Sequence, residues 1–166
     1  MTDTADRPLR ETAMGRAKEK PPAAPAAHNV DFFAWTEAQV DLMRRGAFDR
    51  IDWEHVIEEV ESMGNEQKHA LVSSYRVLLM HLLKWVHQPS RRSRSWKNTI
   101  RRERLNIVQR LQTNPSLKAR TGELVALAYP LALREAAGET GLPPSAFPPA
   151  CPWSLDELRD EDFLPA

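Results

Sequence analysis

The chain of 166 residues has a single cysteine, Cys151, and no long apolar run. One cysteine excludes an internal disulfide and a cysteine-rich zinc site, which fits a reducing cytosol. The longest apolar stretch, Val77–Val86, is interrupted by His81 and Lys84, and it falls well short of the ~18 residues that a membrane span needs. The N-terminus lacks the apolar core of a secretory signal. We therefore expect a cytoplasmic protein that does not cross a membrane.

The short motifs that identify many enzymes from sequence are also missing. There is no phosphate-binding glycine loop, no CxxC, no HExxH and no G-x-S-x-G nucleophile elbow. His55 and Glu58 stand three residues apart, but carboxylate–histidine metal sites in helical bundles use the order Glu then His, in two copies. The sequence therefore predicts no metal site and no cofactor.

Charge of one sign is not in excess, because Lys+Arg and Asp+Glu both total 23. A net charge of zero excludes bulk attraction to nucleic acid or to a membrane surface. The charges are nevertheless segregated: acidic residues crowd the segment Asp52–Glu61, whereas Arg91–Arg104 carries six arginines and one lysine against a single glutamate. This second segment predicts a local cationic surface.

No segment alternates apolar and polar residues, so we predict an all-α protein without a sheet. Apolar residues recur at helical spacing and indicate a single bundle of about five main helices. A capping box of Thr36 and Gln39 is expected to begin the first helix, and Gly64 and Gly138 to end the second and the last long helix. The expected helices two to four run from Asp52 to Gly64, from Asn65 to Pro89, and from about Arg92 to Gln112. The helix expected from Asp52 to Gly64 should bury an apolar stripe of Trp53, Val56, Ile57, Val60 and Met63.

The two ends of the chain differ from this helical middle. Residues 1–29 combine prolines, alanines and charges with almost no bulky apolar side chains, and we expect a disordered extension there. Residues 30–166 are then a single helical domain. After Gly138 the chain holds six of its 13 prolines and should form an extended proline-rich C-terminal arm, anchored by Phe147, Trp153 and Phe163. Ser154 and Glu157 predict a capping box for a short terminal helix.

Several segments resemble a known bacterial family, the domain-of-unknown-function family numbered twenty-nine. The similarity lies in rare combinations that occur in a fixed order: D-F-F-A-W-T at 31–36, E-E-V-E-S-M-G at 58–64, H-L-L-K-W-V-H-Q-P at 81–89, S-W-K-N-T-I at 95–100, F-P-P-A-C-P-W-S-L at 147–155 and D-F-L-P at 162–165. The resemblance covers the chain from about Asp31 onward. It implies an all-helical fold and implies no activity.

The polar residues at the junction of the third and fourth expected helices are the candidates for a functional site. His81 and Gln88 lie on one edge of the apolar arc, and the arginine-rich segment follows Pro89 directly. One interpretation is a structural network, in which Glu58, Glu59 or Glu61 pairs with arginines and Arg92 faces the core. The other is a shallow binding site for an anion, because helix N-termini and arginines both attract negative charge. Its candidate binding residues are Lys84, Gln88, Arg91, Arg92, Arg94, Ser95, Thr99 and Arg102.

Two functions remain open on this sequence. The favoured one is a non-enzymatic interaction module that binds a protein partner or nucleic-acid phosphates through Arg91–Arg104. The alternative is an enzyme acting on a phosphorylated or nucleic-acid substrate, with His81 as general acid or base beside Glu59. Ser95 has no surrounding nucleophile motif, so the catalytic inventory favours binding.

Overall fold

The computed structural model describes residues 27–166, and every regular element in that range is helical. The five α-helices are α1 (Phe32–Arg45), α2 (Trp53–His87), α3 (Arg94–Thr113), α4 (Thr121–Thr140) and α5 (Leu155–Arg159). Short 3₁₀ turns at Phe48–Arg50, Pro89–Arg91, Pro115–Arg120 and Pro144–Ala146 connect them. The all-α prediction is confirmed. The expected disorder of residues 1–29 falls mainly outside the described residues, and the chain divides into two compact units that meet at His55 and Val56.

The first unit is built around α1 and the turn that follows it. Asp31 caps α1 by accepting the N–H of Ala34 at 3.0 Å, and Gly46 ends it with a left-handed φ of 70°. The expected capping box is wrong, because Thr36 already lies inside the helix, where its hydroxyl donates to the carbonyl of Phe32. The side chain of Gln39 instead accepts the N–H of Asp52 at 2.9 Å.

Helix α2 is continuous over 35 residues, so the predicted break at Gly64 is wrong. Glycine costs about 1 kcal/mol in a helix interior relative to alanine, and that cost alone does not end a helix. The stripe expected to be buried before Gly64 is largely exposed, with Trp53 at 48% and Val60 at 63% of their full accessibility. The two helices predicted for this segment are therefore a single helix.

The core of the second unit lies where α3 and α4 cover the later part of α2. Leu71, Tyr75, Leu78, Leu79 and Leu82 of α2 are fully buried, and α3 and α4 contribute Ile100, Ile107, Leu124, Ala128 and Ala132. Helix α4 runs past Gly138 to Gly141, whose φ of 73° ends it, so the predicted stop at Gly138 is wrong. Pro130 is tolerated inside α4 because it lies on the exposed face of the helix.

The C-terminal arm packs on this core through side chains and one buried cation. Phe147 is buried, whereas the other two predicted anchors, Trp153 and Phe163, are half-buried. Leu158 on α5 is fully buried, and the capping box of Ser154 and Glu157 is present as predicted. The guanidinium of Arg104, only 1% exposed, donates to the carbonyls of three arm residues, at 3.2 Å to Leu158, 3.3 Å to Glu161 and 3.4 Å to Glu157.

Candidate functional site

His81 lies near the end of α2, where one hydrogen bond fixes the tautomer of its neutral ring. Its Nδ1–H donates to the carbonyl of Val77 at 2.9 Å, so the lone pair of the neutral ring is on Nε2. Partial burial is the main cause that lowers the pKa of His81. The bond to Val77 and the charge of Glu139 raise this pKa, and the charges of Lys84 and Arg102 lower it. Burial therefore favours the neutral imidazole, and the side chain is half-buried.

Lys84 and Gln88 fasten the end of α2 to the end of α4. The ammonium of Lys84 pairs with Glu139 and lies 4.5 Å from the ring centroid of Trp96, and only 6% of the residue is exposed. The amide of Gln88 donates to the carbonyl of Thr140 at 3.1 Å. Both polar groups are satisfied within the fold, so these two predicted binding residues have structural partners.

Arg92 lies at the surface and does not face the core as the helical phase suggested. Its Nε–H donates to the carbonyl of Trp85 at 2.9 Å, and its guanidinium stacks 4.9 Å from the Trp85 ring centroid. The angular position predicted for Arg92 assumed that it lies within the fourth helix. It does not, because α3 begins only at Arg94, after the 3₁₀ turn and the extended residue Ser93. Arg92 thus satisfies one of the carbonyls left free at the end of α2.

The remaining cations of the segment form a row on the outer face of α3. Arg94, Lys97 and Arg101 lie within about 60° of one another at the helical angle of 100° per residue, and their centre is about 100° around the helix from the packed side of Ile100 and Ile107. The row is about 10 Å long at 1.5 Å per residue. Of the other predicted binding residues, Arg91, Ser95 and Arg102 are exposed and Thr99 is half-buried. Arg102 donates to Glu103 at 2.9 Å.

A shallow pocket of about 430 Å³ opens at the start of this row. It is lined by Trp85, Arg92, Ser93, Arg94 and Lys97, and the ammonium of Lys97 lies 5.5 Å from the Trp85 ring centroid. Ser93 caps α3 by accepting the N–H of Trp96 at 3.3 Å. The other N–H groups of the first turn have no intrahelical partner, and together with the helix dipole they favour an anion at this position.

The acidic residues before Gly64 do not reach this surface. Because α2 is uninterrupted, Glu59 lies roughly 33 Å from His81 along the same helix, and Glu58 and Glu61 are similarly distant. The structure therefore does not bring Glu59 to His81. The partners of the cationic residues lie elsewhere, on α4 for Lys84, on α3 for Arg102, and on the arm for Arg104.

Sequence reasoning missed Arg104 and Glu139. Arg104 lies in the middle of the apolar stripe formed by Ile100, Ile107 and Leu111, and a charge at that phase was the available signal for a buried cation. Glu139 gave no such signal, since it lies at the end of α4 with its side chain half exposed.

The described residues contain neither a metal-binding cluster nor a membrane-spanning helix. Among residues 27–166, no cluster of three or more histidine, cysteine or acidic side chains could hold a metal ion. Within the same range, no helix has the length and apolar character required to cross a bilayer.

Comparison with curated proteins and with solved structures finds no match to this chain. The pattern of a protein family does match, over residues 27–164, which include all five helices and the whole cationic surface. That family is described as the domain of unknown function DUF29, and the chain belongs to it.

Proposed function

We propose that the protein is a non-enzymatic binding module that holds the phosphates of a nucleic acid on the outer face of α3. The observation that carries this proposal is the row of Arg94, Lys97 and Arg101, exposed on one side of a single helix. Phosphate contacts supply most of the affinity in sequence-independent nucleic-acid binding, and they require only exposed cations with suitable spacing.

The pocket at the start of α3 supports the proposal independently of the row. The ring of Trp85 holds the cationic groups of Arg92 and Lys97 near one position, and the helix N-terminus adds N–H donors there. Trp85 is only 6% exposed, so it orients cations and does not serve as a stacking platform for bases. Such a site recognises the sugar–phosphate backbone of the nucleic acid and not its base sequence.

The test is a salt titration of binding to a fluorescent oligonucleotide, with a variant in which Arg94, Lys97 and Arg101 are replaced by glutamine. Three lost phosphate contacts should weaken binding for all base sequences. They should also reduce the slope of log K against log salt by about two to three units. The melting temperature should change little, because these side chains are exposed.

The matched control replaces three exposed cations away from α3, namely Arg44, Arg45 and Lys118, by glutamine. The change in net charge is the same, so the control should retain the salt slope of the unmodified protein. Absence of binding by the unmodified protein at low salt would exclude the nucleic-acid proposal. Equal losses in both variants would show that only net charge matters.

The state of His81 favours an enzyme as the second candidate. A neutral imidazole with Nε2 available can act as a general base, and Arg102 lies close enough to affect its pKa. The expected substrate is a phosphorylated compound, whose charge the arginine would stabilise. Hydrolysis of a panel of phosphate esters should then disappear in His81→Gln, and equal rates in the variant and the unmodified protein would eliminate this candidate.

A further inference from the structure

The part of α2 around Gly64 is exposed on every side. Residues 60–67 are all exposed, which is two full turns of helix without a packed face. Ile57, Val60 and Met63 expose 55%, 63% and 66% of their surface. Most helical stability in proteins comes from the packing of an apolar face. This segment lacks that packing, so it gains from a partner that covers it.

The exposed apolar residues continue the core-facing side of α2. At 100° per residue, Ile57, Val60 and Gly64 lie on the same side of the helix as Leu71 and Leu78, both of which are fully buried. The stripe that α3 and α4 cover farther along α2 therefore extends uncovered toward its N-terminus. An amphipathic face of this kind fits another helix.

We propose that residues 60–69 of α2 pair antiparallel with the same segment of a second copy of the chain, about a twofold axis between Gly64 and Asn65. In a parallel pair related by a twofold axis, the flank that holds Glu61 and Lys68 would meet the opposite flank of the second helix, where Met63 and Gln67 carry no charge. In an antiparallel pair related by a twofold axis, the same flank of both helices meets. That flank holds Glu61 and, two turns later, Lys68, so unlike charges approach each other.

Gly64 is the feature that permits close approach at the centre of the pair. A Cβ atom added to Gly64 would meet no atom of residues 27–166 within 4 Å, so packing among these residues does not require a glycine there. Small residues at a helix crossing allow the two backbones to approach. The pairing thus supplies a reason for a helix-disfavouring residue at an exposed helical position.

A recess beside Gly64 provides room for the flank of the second helix. It has a volume of about 490 Å³ and is lined by Glu61, Gly64, Asn65, Lys68, Leu117 and Arg120. Lys68 and Arg120 place positive charge in the recess, which complements the acidic end of the second copy's α2. This surface is separate from the cationic row on α3, and the pairing does not depend on the proposed function.

Sedimentation equilibrium of the full chain, over a wide concentration range, tests the pairing. The unmodified protein should show a reversible monomer–dimer equilibrium. Val60→Glu should weaken dimerisation at least tenfold without loss of helical circular dichroism, because Val60 makes little contact within one chain. The matched control is Leu127→Glu on α4, where the leucine is 56% exposed, and it should leave the equilibrium unchanged.

Two further variants separate the pairing from a general effect of charge. Glu61→Lys should weaken dimerisation, and adding Lys68→Glu in the same chain should restore it. Gly64→Leu should stabilise the helix of the monomer and yet weaken dimerisation, because it adds bulk at the crossing. A single-chain mass at all concentrations would overturn the proposal. Tighter association of Gly64→Leu would also overturn it, as would equal effects of Val60→Glu and Leu127→Glu.

Discussion

Replacing Arg104 by methionine tests how the C-terminal arm is held. Methionine keeps much of the side-chain length but has no donors, so the change removes the three hydrogen bonds from the guanidinium to the carbonyls of Leu158, Glu161 and Glu157. Each bond contributes about 1 kcal/mol, and the carbonyl of Leu158 is left buried without this donor. We expect the free energy of unfolding to fall by about 3 kcal/mol.

Urea denaturation followed by tryptophan fluorescence measures this loss, with Arg101→Met as the matched control on the same helix. Arg101 is exposed, so its replacement should cost less than about 0.5 kcal/mol. A loss below about 1 kcal/mol for Arg104→Met, or equal losses for the two variants, would refute the assignment of Arg104 as the residue that holds the arm. Arg104→Lys should recover only part of the stability, because one ammonium cannot reach three separated carbonyls as a planar guanidinium does.

Three further predictions concern the arm and the titration of buried groups. Trp153→Ala should lower the free energy of unfolding by about 2 kcal/mol in urea, less than for a fully buried tryptophan because the side chain is half-buried against the core. Burial raises the pKa of Tyr129 to about 12, and its hydroxyl donates to the carbonyl of Pro148 at 2.7 Å. The folded state therefore holds this proton more tightly than the unfolded state, whose tyrosine pKa is near 10.0. The free energy of unfolding should consequently fall as the pH rises from about 10 through about 12. Tyr129→Phe should reduce that alkaline loss in melts run across this range. Burial lowers the pKa of His81 below its ordinary value of 6.5, so the unfolded state takes up the proton first and stability should fall as the pH drops below that value. His81→Gln should make the melting temperature less sensitive to pH in that range. The same pH dependence of the melting temperature in both proteins would show that His81 does not contribute to the loss of stability in acid.

The fold class followed from periodicity, but the helix boundaries at glycines did not. Gly46 and Gly141 end helices with positive φ, whereas Gly64 and Gly138 lie inside them. A glycine ends a helix only where the following residues leave the helical path, and its own identity does not determine that. The error at Gly64 changed the expected site, because two separate helices would have allowed Glu59 to lie close to the arginine segment.

The candidate site was predictable in part for a related reason. The density of arginine between Arg91 and Arg104 located the cationic surface, since a run of like charges is visible without a structure. Which of these arginines are buried and which are exposed was not predictable. Arg104 is buried and Arg92 is exposed because the register of α3 is set by the cap at Ser93, and the partners Glu139 and Leu158 are distant in sequence.

The uninterrupted course of α2 makes it a spacer of fixed length. From Val60 to His87 the helix spans roughly 40 Å, which separates the proposed pairing segment from the cationic surface beyond the helix end. In an antiparallel dimer centred at Gly64 the two cationic surfaces would then stand roughly 70 Å apart, facing in opposite directions along the paired helices. A polyanion long enough to span that distance would engage both surfaces at once and bind with avidity, whereas a short oligonucleotide would occupy only one. The dependence of affinity on oligonucleotide length would therefore report the length of this helix.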